Sequence, residues 1–285
     1  MKKGTWTPWV LAFVLTVVIF GYQRMTGPTY PVKGKEILKD KEISYLLIRS
    51  HTEFQSMPVV IKAVDQGVTA FLNYKRYKTE DEWTEVEMKR QGDTLVAEIP
   101  GQPTAGKVEY SIRVHIDQEN FVLNKGRSVV ARFRGEVPSV WLILHIVFMV
   151  FGMIFAMRTL IEALRKEGNF SWMVNWTLGI VFIGGMILGP IVQKYTFGDF
   201  WTGFPFGFDL TDNKVLIGVI CWIAAFFLKK KSKWWVVAAA AVMILIYLIP
   251  HSVLGSELDY STGKMKNKYG MMITPPSSVK TVHFT

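Results

Sequence analysis

Apolar residues run along this chain in two rhythms. Unbroken apolar stretches occupy about 5–22, 139–163, 175–194, 214–229 and 234–254, and the region 30–136 instead alternates apolar with polar positions. Most of the long stretches approach the ~20 residues that a helix needs to cross a hydrocarbon layer ~30 Å thick. They predict five spans, the first standing alone and the other four forming a bundle. The fourth is the shortest, which predicts little tilt or a locally thinned bilayer.

The alternating region predicts short strands at ISYLLIRS (43–50), PVVIKAV (58–64), VTAFLNYKRY (68–77), WTEVEMKR (83–90), DTLVAEIP (93–100), KVEYSIRVHI (107–116), NFVLN (120–124) and SVVARFRG (128–135). Turn residues separate them, at Asp65-Gln66-Gly67, Gln91-Gly92-Asp93, Pro103-Thr104-Ala105-Gly106 and Lys125-Gly126. Seven or eight strands in a segment of this length match the size of an immunoglobulin-like β-sandwich. The stretch AEIPGQPTAGKVEYSIRV (97–114) resembles the late strands of fibronectin type III modules, where a glycine-containing connection leads into a Tyr-x-x-x-Val strand. The resemblance implies that Tyr110 is a corner tyrosine, that Ile112 and Val114 face the core, and that the module binds or spaces rather than catalyses. His51 and His115 have no ligand set beside them in sequence and read as structural residues.

Charge changes the picture by fixing an orientation. The formal net charge is +10. If the N-terminus is cytoplasmic, Lys2, Lys3, Arg158, Arg165, Lys166, Lys229, Lys230, Lys231 and Lys233 all lie inside, opposed only by Glu162 and Glu167. The positive-inside rule then absorbs most of the excess, and nucleic acid is not needed to explain it. Lys2 and Lys3 ahead of an apolar run look like a secretory leader, but no small-x-small cleavage site follows, so an uncleaved signal anchor is predicted. The predicted organisation is an anchor (1–24), an extracytoplasmic β-sandwich (30–136), a four-helix membrane domain (138–258) with an outer loop (195–213), and an outer tail (259–285), in the cytoplasmic membrane of a bacterium. The single Cys221 excludes an internal disulfide, and the absence of a C-x-x-C pair excludes zinc ribbons, thiol redox motifs and covalent haem attachment.

Candidate chemistry concentrates at the outer end of the bundle. His145 falls roughly 10 Å into the second span at 1.5 Å per residue, and His251 near the outer end of the fifth. Ionisable residues inside a membrane are functional candidates by default, and two neutral imidazoles on facing helices suit the two axial positions of a haem iron. Structural or interfacial roles for the same histidines stand beside that reading. Gly179, Gly184, Gly185 and Gly189, with Ala238–Ala241, allow close helix approach or admission of a flat ligand.

The outer loop FGDFWTGFPFGFDLTDNK (197–214) holds six aromatic rings and three aspartates. Trp201 and the phenylalanines suit a membrane interface. Asp212 or Thr211 is expected to cap the helix that follows. The spacing of Gly198, Gly203, Pro205 and Gly207 predicts a tight folded turn. In outline Phe197-Gly198-Asp199-Phe200-Trp201 and Phe208-Asp209, with His145 before and His251 after, resemble the external Trp- and Asp-rich loop of membrane haem-handling proteins of cytochrome c maturation. That resemblance implies b-type haem held by His145 and His251, with Phe200, Trp201, Phe208 and Asp209 covering its edge, for electron transfer or haem handling. Asp199, Asp209, Asp212 and Asn213 also offer oxygens suited to calcium. The rival expectation is a non-enzymatic anchor or scaffold that positions the Ig-like module in an envelope complex, with other membrane or periplasmic proteins as partners through the sandwich or the tail. A transporter lacks mid-membrane charges here, and Ser-His-Asp, P-loop and metalloprotease motifs are absent.

Overall fold

The computed structural model describes residues 6–166, 168–250 and 257–266. They separate into two units, one made of residues 29–136 with 257–266, the other of the helices before and after that first segment.

The first unit is a two-sheet β-sandwich. Its strands are β1 (Val32–Leu38), β2 (Lys41–Leu47), β3 (Ser50–Thr52), β4 (Met57–Ala63), β5 (Thr69–Arg76), β6 (Thr84–Glu87), β7 (Lys89–Gln91), β8 (Thr94–Ile99), β9 (Lys107–Ile116), β10 (Glu119–Val122) and β11 (Val129–Arg134). One sheet runs β1-β2-β4-β8-β7 and the other β3-β11-β9-β5-β6, with β10 paired to β9. Period-two alternation builds the core: Met57, Val59, Ile61 and Ala63 of β4 face Val108, Ile112, Val114 and Ile116 of β9 across a buried layer.

Three local features differ from the sequence pattern. WTEVEMKR is two strands, because the buried Met88 crosses between sheets, leaving β6 on β5 and β7 on β8. ISYLLIRS divides in the same way into β2 and β3, and β3 runs parallel to β11. Strand β1 was hidden by its polar content. It is an edge strand carrying Lys33 and Lys35, charges that discourage edge-to-edge pairing.

Tyr110 is fully buried, as its expected core position requires, but it is not a corner tyrosine. Its hydroxyl donates to the Ile48 carbonyl oxygen at 2.8 Å, in the turn where the chain passes from β2 to β3. A corner tyrosine bonds backbone a few residues upstream. Here the bond closes a loop of 62 residues, because β9 lies beside the crossing point.

The helices of the second unit are α1 (Thr7–Thr26), α2 (Ser139–Leu164), α3 (Ser171–Phe182), α4 (Gly189–Phe197), α5 (Leu210–Leu228) and α6 (Trp234–Leu248). A π-helical turn, Ile183–Leu188, joins α3 to α4 into one continuous stretch. Pro190 explains the widening: it has no N–H to give and its ring crowds the carbonyl a turn earlier. Four stretches, α1, α2, Ser171–Phe197 and α5, are long and apolar enough to cross a membrane, and α6 is a shorter apolar helix of 15 residues. Gly152 and Gly185 serve close packing, whereas Gly179 faces open space. A Cβ at Gly152 would sit 2.9 Å from Val181 Cγ2, and one at Gly185 would sit 2.5 Å from Val215 Cγ1. Thr159 and Thr177 also pair hydroxyls across α2 and α3 at 3.1 Å, a contact suited to a medium without competing water.

After α6 the chain forms a hairpin, β12 (Glu257–Asp259) and β13 (Lys264–Lys266), that belongs to the sandwich. Leu258 N–H donates to Ala105 O at 3.2 Å, the Tyr260 hydroxyl donates to Lys107 O at 3.0 Å, and Glu257 bridges Lys78 (2.5 Å) and Lys107 (2.6 Å). Burial pushes the Glu257 carboxyl up, but Lys107 and Lys78 outweigh it and hold the group below the ordinary glutamate range. Lys107 gains less from the pair: burial and Arg132 push it below the ordinary lysine range, and Glu257 only partly offsets them. A depressed carboxylate stabilises above its unfolded pKa and loses that contribution as pH falls through the folded value, so the Glu257 contribution is present at neutral pH and is lost in acid. Glu257→Gln is expected to weaken docking by about 2 kcal/mol. Hydrogen exchange at Leu258 should then quicken by about thirtyfold, and unchanged exchange would refute the role.

Candidate functional site

The loop between α4 and α5 is folded around one carboxylate. Asp212 Oδ2 accepts from Thr202 N–H at 2.6 Å, from the Thr202 hydroxyl at 3.1 Å and from Gln193 Nε2 at 2.9 Å. Asn213 Oδ1 accepts from Phe204 N–H at 2.7 Å, and Trp201 Nε1–H donates to Phe204 O at 3.0 Å. Thr202, Asp209 and Asp212 are buried. The glycines make this possible. Gly198 ends α4 in the left-handed region at φ 91°, and a Cβ on Gly203 would sit 2.6 Å from Asp212 Cβ.

The cap expectation is corrected. Helix α5 starts four residues before the apolar run, so Asp209 is its N-cap and accepts from Thr211 N–H at 2.8 Å. Asp212, one turn inside, is thereby free to hold the loop. Asp199 is also buried, and burial pushes its carboxyl up while Lys194 nearby acts in the opposite direction. Among the described residues, no group of three or more His, Cys, Asp or Glu gathers to hold a metal ion. Of the oxygens named for calcium, one each of Asp212 and Asn213 accepts from loop N–H groups and one of Asp209 from Thr211 N–H in α5.

The aromatic residues face the other way. Phe200, Phe204, Phe206 and Phe208 are 56%, 63%, 73% and 49% exposed, and Trp201 is half-buried. Lys194 lies over the Phe200 ring at 5.4 Å and donates to the Gly198 carbonyl.

Two buried polar residues escaped the sequence reading. Lys214 Nζ donates to Ile249 O at 2.9 Å, and Gln23 Nε2 reaches the same carbonyl at 3.4 Å. The ends of α1, α5 and α6 thus converge on one backbone oxygen, and Asp209 lies within electrostatic range of Lys214. The available signal was a lysine just past the first turn of a helix, at the end where a cation opposes the macrodipole and needs another reason to be present.

His145 sits on α2 against the π turn. Its Nδ1 is 2.9 Å from Gly184 O. A carbonyl only accepts, so Nδ1 carries the proton and Nε2 keeps its lone pair. Gly184 O also accepts from Gly189 N–H, and a Cβ on Gly189 would lie 3.7 Å from His145 Cε1, so the ring itself fills the space beside that glycine. His251 lies outside the described residues, so the pairing with His145 is not described. Of the residues assigned to a haem edge, Asp209 caps α5, Phe200 and Phe208 are exposed, and Trp201 is half-buried.

This arrangement defines a membrane protein with a β-sandwich domain. No protein-family model matches the chain, and no curated protein sequence matches it.

Proposed function

We propose that this chain is a non-enzymatic membrane anchor that displays an immunoglobulin-like interaction module on the extracytoplasmic side of a bacterial cytoplasmic membrane. The observation that carries the reading is the connectivity of the sandwich. The chain enters it from α1, leaves it into α2, and returns after α6 to lay the Glu257–Lys266 hairpin on it. Three chain connections tie the module to the membrane helices, as suits a tethered interaction module. Five crossings bring all three to one side, and the inner-side lysines make that side the outside. The strand order supports the immunoglobulin-like assignment. Strands β2, β4, β8 and β7 follow the order A-B-E-D, β5, β9 and β11 follow C-F-G, and β3 runs parallel to the last strand.

The test is Phe54→Cys in a Cys221→Ser background, since Phe54 is exposed on the sandwich. A membrane-impermeant maleimide is expected to label it in intact cells, and a photo-crosslinker at the same position to give one discrete adduct. Labelling only after lysis refutes the orientation, and the absence of any adduct refutes the interaction role.

One observation favours a second reading, haem binding for electron transfer or haem handling. The Nδ1–H···O=C bond of His145 fixes the tautomer that leaves Nε2 available to a metal, as second-shell bonds do at metal sites. Haem-supplied protein would show a reduced α-band lost in His145→Ala and in His251→Ala. A flat spectrum from folded, haem-supplied protein excludes it.

A further inference from the structure

A loop in water turns its carboxylates out and its rings in. The connection from Gly198 to Asp209 does the reverse. Asp199, Thr202 and Asp209 are at most 8% exposed, whereas four phenylalanines are between 49% and 73% exposed. Part of its backbone is also satisfied from within. The N–H groups of Gly198, Phe206, Gly207 and Asp209 bond to backbone carbonyls of Lys194, Gly203, Gly203 and Thr202. Those of Thr202 and Phe204 bond to Asp212 and Asn213, and Pro205 has none to satisfy. Each such bond lowers the cost of bringing non-helical backbone close to lipid, which offers no partners, and the headgroup region supplies partners for the rest.

We infer that this loop is inserted into the lipid interface, with Phe200, Phe204, Phe206 and Phe208 in the boundary between headgroups and acyl chains of the leaflet where α4 ends and α5 begins. The occupant of its apolar face is phospholipid. Continuity along the chain argues for this: the helices that flank the loop also carry exposed apolar residues, Ile187 and Tyr195 before it and Ile217 and Ile220 after it. Lys194, lying over Phe200 and donating to the Gly198 carbonyl, suits the same depth, with an apolar stem and a charged head near the loop surface. The two ends of the loop are pinned by the Gly198 turn and the Asp209 cap, so the rings are presented as a rigid wedge. The inference rests only on the chain spanning a membrane, and it adds a second, non-helical element to the membrane-embedded surface.

The test uses the full chain in phosphatidylcholine nanodiscs, in a Cys221→Ser background, with an environment-sensitive fluorophore on Phe206→Cys. Ile220→Cys on α5 and Val122→Cys on the sandwich serve as controls. The Phe206 label is expected to be quenched most by a nitroxide high on the acyl chain and shielded from aqueous iodide by at least fivefold relative to Val122. Deep nitroxide should quench the Ile220 label. Iodide access at Phe206 equal to that at Val122, with Ile220 still protected, overturns the inference alone. Loss of protection at Ile220 overturns the membrane reading itself. Shielding of Phe206 in native membranes but not in nanodiscs means that a protein covers the rings, and also overturns it.

Discussion

Asp212→Ala is expected to open the α4–α5 loop while leaving the helices assembled. One oxygen of Asp212 collects the Thr202 N–H, the Thr202 hydroxyl and the Gln193 amide. Removing it leaves a buried backbone donor without an acceptor and deletes hydrogen bonds to a charged group, together about 3 kcal/mol. The effect is local, because the apolar core of the bundle is untouched. It should appear as amide exchange at Thr202 and Phe204 faster by about a hundredfold, as new protease cuts near Phe204, and as a changed Trp201 emission. Asp212→Asn supplies the control. Its amide oxygen can occupy the same place and accept the same donors, so the loss should fall to about 1 kcal/mol. Equal effects of Ala and Asn would mean that charge rather than hydrogen bonding holds the loop. No change in exchange with Ala would mean that the loop is held by its glycines and helix ends alone.

The same loop shows what was legible in the sequence and what was not. Its apolar flanks marked the spans, because a run of some twenty apolar residues has few uses outside a membrane. The tight turn was legible from Gly198 and Gly203, since glycine tolerates the left-handed φ of the first and the close approach at the second. The cap was misplaced because hydropathy marks where a helix becomes apolar, not where it begins. Helix α5 opens with the polar turn Leu210–Asn213, and Asp209 is its cap. In the sandwich, alternation marked the strands and the fibronectin type III resemblance turned Ile112 and Val114 toward the core, where they are buried, but a period of two does not say which sheet a strand joins. The crossings at Met88 and between β2 and β3 therefore came only with the structure. Lys214 and Gln23 were missed for a related reason: their shared acceptor, Ile249 O, is a backbone atom far away in sequence.

The second large effect is expected at the opposite end of the bundle. Arg158 and Glu162 lie one turn apart on α2, joined at 2.5 Å, and they are only 5% and 8% exposed. Arg158 also lies over the Trp9 ring at 5.6 Å, while Arg165 reaches Glu162 at 3.4 Å. Glu162 is thus the counter-charge for a buried guanidinium. Glu162→Ala leaves that guanidinium without its counter-charge, and its Nε already has no partner among the described residues. The expected loss is about 3 kcal/mol, at the low end for a broken buried pair because a long arginine side chain can bend toward the interface. Replacing both residues, Arg158→Met with Glu162→Leu, removes the desolvation cost along with the attraction and should bring stability back to within about 1 kcal/mol of the original. Unfolding in mixed detergent, followed by tryptophan fluorescence, measures all three proteins. If the double variant is as unstable as Glu162→Ala, packing around Trp9 and Phe155 matters more than charge. If Glu162→Ala is neutral, Arg158 already reaches water, and the pair is one of the interfacial basic groups that orient the chain rather than a bond that holds its helices.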